Sequence, residues 1–327
     1  MKAENIKKIL IIRFGAIGDL LHSSEIFRSI KRKHPDIEIH YLTTKMPSQI
    51  IEHDCDIDKI ILLESKKYKY LFELSKKLKK ERYDLIINLQ NSNRAKFLAF
   101  LIFAKKTVTY KKTFKLHAVE NFWQTAHKVF KDIELRHELE LKIPQETIDK
   151  IKTYIPVDKK IVTINIFTSP TRQGRKWRKE YFKELALKLI DKYNCSVVFS
   201  GAPDEAEELK DFENLSPNII ILAGKLSLME SCALYSISDV MISSDTGPLH
   251  LATGCEKPVC IGLFGAAPIS RTGVWGEKHY AISADLPCIA CNRRKCKIKK
   301  GQYNPCMDAI KPETIFELIE KENLLLQ

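Results

Sequence analysis

The chain has 327 residues, of which 44% are hydrophobic and 29% are charged, and its formal net charge is +13. This composition is typical of a globular protein with a substantial core, and the length allows two domains. The longest apolar run, at 97–104, is far shorter than a membrane span, and charges from Lys2 onward disfavour a signal peptide. We therefore expect a cytoplasmic protein whose nine cysteines are mostly reduced and whose positive charge suits an anionic partner.

The first half of the chain alternates short apolar runs with segments of helical spacing. Strands are predicted at 7–14, 37–42, 59–64, 83–90 and 106–110, with amphipathic segments between them. This alternation is typical of a parallel sheet with helices on both faces. The pattern weakens between 131 and 158, and we place a domain boundary after residue 157.

The same alternation restarts in the second half. Strands are predicted at 160–166, 195–200, 218–222, 239–243 and 258–263, and helices at 179–192, 203–213, 227–236 and 247–254. A cysteine-bearing loop follows, and Pro312 opens a final helix. The predicted fold class is therefore α/β, with two doubly wound domains at 1–157 and 158–311 and a last helix at 312–327. Ligands of such folds bind at the carboxyl ends of strands, so we expect the site in a cleft between the two halves.

The turn RFGAIGD at 13–19 separates the first strand from a helix. Gly15 and Gly18 allow a ligand to approach the backbone, and Asp19 lies at the helix start, which favours an ionised carboxylate. The pattern is not G-x-G-x-x-G, and no acid follows at the spacing of a dinucleotide site, which disfavours nicotinamide cofactors. Asp19 either stabilises the helix start alone or accepts a proton from a substrate hydroxyl, and we predict the second role.

Hydroxyls and cations follow the first strand of the second half. Thr168 and Ser169 come first, and Arg175 and Lys176 precede the next helix. Such groups suit the neutralisation of a phosphate, although a solvated basic loop is the alternative. Glu205 lies at a later helix start and suits sugar or ribose hydroxyls.

The segment SSDTGPLH at 243–250 interrupts two apolar strands with polar residues. Asp245 and Thr246 follow a strand, Gly247 leaves the backbone open, and His250 lies one turn into the next helix. Free amides at a helix start favour an anion such as a diphosphate. A capping side chain with a proline in the first turn is the alternative. We predict that these four residues bind a phosphorylated ligand.

Taken together, these segments resemble the ADP-heptose:lipopolysaccharide heptosyltransferases, which are inverting sugar transferases with the two-domain GT-B fold. The resemblance covers nearly the whole chain. It rests on ILIIRFGAIGDLLHS, YDLIINLQ, KLHAVENF, the loop ending in RKW, SGAPDE, LAGKLSLMESCALYSISDVMISSDTGPLHLATGCEKPVCIGLFG and the closing cysteine loop.

The resemblance implies that a heptose moves from ADP-heptose to a lipopolysaccharide core acceptor, with no metal or other cofactor. The acceptor would be a lipid-linked or phosphorylated glycan, and the enzyme would work in the cytoplasm, with the inner-membrane surface as a peripheral partner. The residues implied are Asp19 as general base, Arg175 and Lys176 as catalytic cations, Gly15, Gly18, Thr168, Ser169, Glu205, Asp245, Thr246, Gly247 and His250 in the donor site, and His117 in the acceptor site.

The chain also departs from the family pattern. Arg175 stands where the family usually has lysine, Arg178 replaces a proline, and Asn121 replaces an arginine near His117. Arginine keeps the charge and binds phosphate in a bidentate manner, so it is not a neutral exchange for lysine. The change at 121 predicts an acceptor that differs from that of relatives in which this arginine grips a phosphate.

Four cysteines near the end of the chain, Cys288, Cys291, Cys296 and Cys306, have the spacing C-x2-C-x4-C-x9-C. Four thiols in so short a segment can hold a zinc ion or an iron–sulfur cluster. The last two do not form a close pair, however, which favours reduced core thiols or a disulfide, and we expect no metal.

Two other classes of function remain open on the sequence. A related GT-B enzyme with another nucleotide sugar or acceptor, including a nucleotide-sugar epimerase, shares the same patterns. A nucleic-acid or metal-binding module would use the cysteines and the basic aromatic stretches at 68–83 and 109–123. A phosphorylated glycan explains the second stretch equally well, so we expect no nucleic acid as a partner.

Overall fold

The computed structural model describes residues 3–293, 296–298 and 303–326. The chain divides into two units, Met1–Lys142 and Ile143–Gln327, each with its own sheet.

The first unit is built on a five-stranded parallel sheet. Its strands are Lys8–Ile12 (β1), Glu38–Thr43 (β2), Lys59–Leu62 (β3), Leu85–Asn88 (β4) and Lys106–Thr109 (β5). Their order in the sheet is β3-β2-β1-β4-β5, so the apolar strand β1 lies at the centre. Burial on both faces explains why β1 and β4 are almost continuously apolar.

Among residues 3–142, six α-helices accompany this sheet. They are Ile17–His22 (α1), Ser24–Lys33 (α2), Lys45–Ser48 (α3), Tyr68–Lys79 (α4), Asn93–Ile102 (α5) and Ala118–His127 (α6). Helix α4 buries Leu71, Leu74 and Leu78, which recur at the spacing of one helix face. Helix α1 begins where the glycine turn ends, so Asp19 lies in its first turn.

The second unit contains a six-stranded parallel sheet. Its strands are Ile161–Asn165 (β6), Ser196–Ser200 (β7), Ile219–Ile221 (β8), Val240–Ser244 (β9), Val259–Phe264 (β10) and Tyr280–Ser283 (β11), in the order β11-β10-β9-β6-β7-β8. Asn165 pairs with Ser243, and Ser244 pairs with Leu263. Because the carboxyl ends of β6, β9 and β10 are in register, the loops that follow them meet at one edge of the sheet.

The described part of this unit contains seven α-helices. They are Gln145–Lys152 (α7), Lys179–Tyr193 (α8), Leu228–Ile237 (α9), Gly247–Thr253 (α10), Ile269–Thr272 (α11), Pro305–Asp308 (α12) and Pro312–Lys321 (α13). Pro170–Arg175 and Pro203–Phe212 form 3-10 helices, the second of them where an α-helix was predicted. The predicted α/β class with two parallel sheets is confirmed.

The division between the units falls after Lys142, earlier than the boundary predicted after 157. Helix α7 explains the difference, because it packs against α9 and Lys150 forms an ion pair with Glu230 at 2.6 Å. The last helix, α13, packs against α8 within the second unit. Its predicted packing on the first domain stays a prediction.

In the part of the chain that the structure describes, no helix is both long and apolar enough to cross a bilayer.

Candidate active site

Asp19 is held by an arginine that the sequence analysis did not select. The Asp19 carboxylate forms an ion pair with Arg13, while 35% of the Asp19 side chain stays exposed. Arg13 is itself fixed, because it donates a hydrogen bond of 2.8 Å to the Leu89 carbonyl and its guanidinium lies 5.2 Å from the Phe122 ring centre. The carboxylate is thus oriented and still accessible at the carboxyl end of β1. The only sequence signal for Arg13 is its position directly before the glycine turn.

The first glycine of this turn has a backbone conformation that favours glycine. Gly15 has a φ of 145°, in the region that residues with a Cβ rarely adopt. Gly18 is buried within α1. Their predicted contact with a donor stays a prediction.

His117 lies beside the helix that carries Asp19. It caps α6, because its Nδ1 accepts from the Val119 amide at 3.3 Å while the Glu120 carboxylate accepts from the His117 amide at 3.0 Å. Its ring meets the ring of His22, in α1, edge to face at 5.4 Å. The structure therefore brings the predicted acceptor residue and the predicted base into one neighbourhood.

Asn121, which replaces the arginine of the family pattern, ties the preceding loop to α6. Its side-chain oxygen accepts from the Thr113 amide at 3.0 Å, and its side-chain nitrogen donates to the Lys111 carbonyl at 3.2 Å. The residue thus shapes the basic segment before His117.

In the second unit, Asp245 is the centre of a buried network at the end of β9. Only 3% of the residue is exposed. Its carboxylate accepts from His250 Nε2 at 3.1 Å and from Thr272 at 3.3 Å, and it forms an ion pair with Arg175 at 2.7 Å. Arg175 also donates to the Asp245 carbonyl at 2.7 Å. The loop after β6 is thereby fastened to the start of α10.

This network keeps Asp245 ionised. Burial raises the pKa of the Asp245 carboxylate, but the hydrogen bond from His250 and the charge of Arg175 lower it by more. The net pKa of Asp245 lies below its usual value. Burial also lowers the pKa of Arg175, against the attraction of Asp245. Arg175 therefore stabilises the charged form of Asp245, and Asp245 stabilises the charged form of Arg175.

Two further features lie close to this network in the chain: the accessible backbone at Gly247 and the buried hydroxyl of Thr168. A Cβ built on Gly247 would have no atom within 4 Å, so a ligand has room to approach the start of α10. The Thr246 and Ser243 hydroxyls contact each other at 3.0 Å. Thr168 is 7% exposed, and its hydroxyl has no hydrogen-bond partner within the described ranges. Ser169, next in the chain, is exposed.

Two other predicted site residues already have partners within the second unit. The Glu205 carboxylate accepts from the Ala202 amide at 2.7 Å and so stabilises the start of its 3-10 helix. Lys176 forms an ion pair with Glu208 at 2.6 Å. Trp177 is buried and donates its Nε1–H to the Ile310 carbonyl at 2.8 Å, so it supports the loop.

A solvent-open cavity lies beside Arg175. Its lining residues are Arg172, Gly174, Arg175, Ala266, Ala267, Asn292 and Arg293. Three guanidinium groups around one small cavity are suited to an oxyanion such as phosphate. Sequence analysis missed Asn292 and Arg293, because only the tertiary fold brings the cysteine loop to this edge.

All four cysteines of that loop are free thiols. Cys288 and Cys291 are exposed, Cys296 is intermediate and Cys306 is buried. Among residues 3–293, 296–298 and 303–326, no three cysteine, histidine or acidic side chains are grouped as metal ligands.

Several solved glycosyltransferase structures share this fold. A glycosyl transferase of family 9 from Veillonella parvula has a TM-score of 0.81 at 19% identity, covering 98% of this chain and 97% of that one. The ADP-heptose lps heptosyltransferase II of E. coli has a TM-score of 0.79 at 18% identity, covering 98% of this chain and 99% of that one. The fold is that of the GT-B glycosyltransferases.

The sequence comparison is more specific. The family model for glycosyltransferase family 9 (heptosyltransferase) matches residues 71–302. The lipopolysaccharide core heptosyltransferase OpsX of Haemophilus influenzae is 25% identical over 301 residues, covering 85% of this chain and 84% of the relative. The chain belongs to glycosyltransferase family 9 and is a glycosyltransferase.

Proposed function

We propose that this enzyme transfers a heptose from ADP-heptose to a hydroxyl of a lipopolysaccharide core acceptor, with inversion at the anomeric carbon. The family membership and the substrates named for its relatives support this assignment. The observation that carries the mechanism is the oriented, partly exposed carboxylate of Asp19 at the carboxyl end of a central strand.

In this mechanism Asp19 takes the proton of the acceptor hydroxyl while the oxygen attacks the anomeric carbon. The bond from that carbon to the diphosphate oxygen breaks, and its electron pair leaves with ADP. Donors that face a developing negative charge stabilise such a transition state. The open backbone at Gly247, the amide of Thr246 and the guanidinium of Arg175 are the groups that we assign to the diphosphate.

The remaining donor residues have supporting roles. Asp245 and His250 hold Arg175 and the start of α10 in place. The unpartnered hydroxyl of Thr168 is available to a phosphate oxygen. We assign the nucleoside to Glu205 and Ser169. The fixed cations and helix amides supply the electrostatic stabilisation that a metal would otherwise provide.

The acceptor side is basic, which suits a phosphorylated, lipid-linked glycan. Lys111, Lys112 and Lys115 are exposed in the segment that leads to His117. Lysines near a surface also favour an anionic membrane. We therefore propose that the enzyme works in the cytoplasm, at the inner-membrane surface where its acceptor lies.

Substitution Asp19→Asn tests the mechanism, because asparagine keeps the shape of the side chain and cannot take the proton. We expect the rate of heptose transfer to fall about 10²- to 10⁴-fold, while the affinity for ADP stays within twofold. ADP release with and without lipid acceptor gives the rate, and calorimetric titration gives the affinity. The control is Asp36→Asn, an exposed aspartate of the same unit.

Two outcomes would contradict the proposal. Full transfer by Asp19→Asn would remove Asp19 from the mechanism. Nucleotide release by the wild type that needs no acceptor would instead favour an epimerase of the same fold.

A further inference from the structure

The two cations that were expected to bind the diphosphate already form ion pairs with carboxylates. Arg175 is paired with the buried Asp245 at 2.7 Å, and Lys176 is paired with Glu208 at 2.6 Å. A charge that is already neutralised by a carboxylate contributes less to the binding of a second anion. The donor diphosphate therefore needs positive charge in addition to that of Arg175.

Two other arginines line the same cavity. Arg172 lies at a kink in the 3-10 segment after β6, and Arg293 comes from the cysteine loop. Neither has an ion-pair partner among residues 3–293, 296–298 and 303–326. The charge of Arg172 also disfavours the charged form of Arg175, because it lowers the pKa of that guanidinium. Like charges gathered around one cavity are relieved when an anion binds between them.

Backbone hydrogen bonds hold the cysteine loop in the position at which Arg293 lines the cavity. The Ala290 amide donates to the Gly265 carbonyl at 3.0 Å, and the Asn292 amide donates to the Ala266 carbonyl at 2.7 Å. Ala266 and Ala267, which follow β10, are buried and line the cavity themselves. The position of Arg293 thus follows from backbone hydrogen bonds to the segment just after β10.

We propose that Arg172 and Arg293 bind the diphosphate of the nucleotide-sugar donor and take up the charge that develops on it during transfer. Guanidinium groups bind phosphate oxygens in a bidentate manner, and the cavity that these arginines line opens to solvent, so an anion can reach them. This inference rests on the proposed function, since it names the residues that hold the leaving group. It also gives the cysteine loop a role in the donor site.

Calorimetric titration of Arg293→Ala and Arg172→Ala with ADP, AMP and inorganic pyrophosphate tests the inference. Each substitution removes a charge-assisted contact to the terminal phosphate, so we expect the affinities for ADP and pyrophosphate to fall about 10- to 100-fold. The affinity for AMP should fall less, because AMP lacks that phosphate. Arg293→Lys should retain part of the affinity.

The matched control is Lys297→Ala, which removes an exposed cation from the same loop. It should bind ADP within twofold of the wild type. A general loss of folding would lower the affinities for ADP and AMP alike, whereas the proposed role lowers the ratio between them.

Other results would overturn the inference. If the wild type binds ADP and both alanine variants bind it equally well, the two arginines have no part in the site, and the proposed function still stands. If the wild type binds pyrophosphate but not ADP, and the variants lose pyrophosphate, the anion site stands and the ADP donor is wrong. If the wild type binds neither, both proposals fail.

Discussion

At the scale of single residues, the arginine next to the proposed base is the most informative feature. Arg13 contacts Asp19, the Leu89 carbonyl and the Phe122 ring together, and it is only 8% exposed. A side chain held at three points can fix the orientation of the carboxylate, which otherwise has several rotamers at the helix surface. Arg13 is therefore a positioning residue for Asp19.

Substitution Arg13→Gln should lower kcat about 10- to 100-fold while KM for the donor stays within twofold. Glutamine can still donate to the Leu89 carbonyl but cannot pair with the carboxylate of Asp19, so the base loses its fixed geometry. Steady-state ADP release at varied donor concentration measures both constants. Arg13→Lys should recover part of kcat, and Arg94→Gln, an exposed arginine of the same unit, should change neither constant. An equal loss in Arg13→Gln and Arg13→Lys would point to a packing role instead.

The sequence predicted the residue types around the donor site better than their partners. Asp245, His250 and Arg175 could each be selected from the sequence. Asp245 follows a predicted strand, His250 lies early in a predicted helix, and Arg175 lies in the loop between a predicted strand and the next helix. Their mutual contacts could not be predicted, since Arg175 and Asp245 are 70 residues apart in the chain. For the same reason Lys176 seemed available for catalysis, although the fold pairs it with Glu208. Ion pairs between distant segments leave no local pattern.

At the scale of secondary structure, the helix starts show how much one side chain stabilises an element. Helix α9 begins with a capping box, in which Ser227 Oγ accepts from the Glu230 amide at 3.3 Å and Glu230 accepts from the Ser227 amide at 2.7 Å. Glu230 also pairs with Lys150 of α7. The first turn of α9 thus also holds α7, the helix that belongs to the second unit although the predicted boundary placed it in the first.

Substitution Ser227→Ala should lower the free energy of unfolding by about 1 kcal/mol, because it removes the hydroxyl that caps α9. Urea denaturation followed by circular dichroism measures this change. Ser231→Ala, one turn further along the same helix, is the control. Its hydroxyl only bonds back to the Ser227 carbonyl, so its loss should leave stability unchanged or slightly higher. Equal effects of the two substitutions would show that capping is not the cause.

The elements themselves were largely predictable, because strands of a parallel sheet are short apolar runs between polar breaks. Ten of the strands lie where such runs predicted them, from β1 to β10. The edge strand β11 was missed, since Tyr280–Ser283 is only partly buried and follows a polar segment. Helix α7 was missed because it has a single buried residue, Ile151. Elements with little buried surface leave a weak sequence pattern.

At the scale of the whole molecule, acid should destabilise the fold through one histidine. Burial and the neighbouring Lys278 lower the pKa of His279 to about 4. Its neutral Nδ1 accepts a hydrogen bond from the Cys260 amide at 3.1 Å, which a protonated ring could not do. Because the unfolded chain takes up this proton near pH 6.5, the folded state loses stability as the pH falls from about 6.5 towards 4.

Substitution His279→Gln should flatten this part of the stability profile. The wild type should lose up to about 1.4 kcal/mol of unfolding free energy for each pH unit from His279 alone, and the variant should not. Urea denaturation at several pH values between 4 and 7 measures the slope. His53→Gln, at an exposed site of the first unit, should leave the slope as it is. An unchanged slope in His279→Gln would place the acid sensitivity in other groups.

The loop before α8 is held in place by residues 304–310, which lie much later in the chain. Trp177 donates to the Ile310 carbonyl, Arg178 pairs with Asp308, and Asn304 donates to the Gly174 carbonyl, across 130 residues or more. During synthesis, therefore, the ribosome must add that length of chain before this loop gains its supports. The strands of the second sheet, which end at Ser283, can therefore pair before the segment that supports this loop has been made.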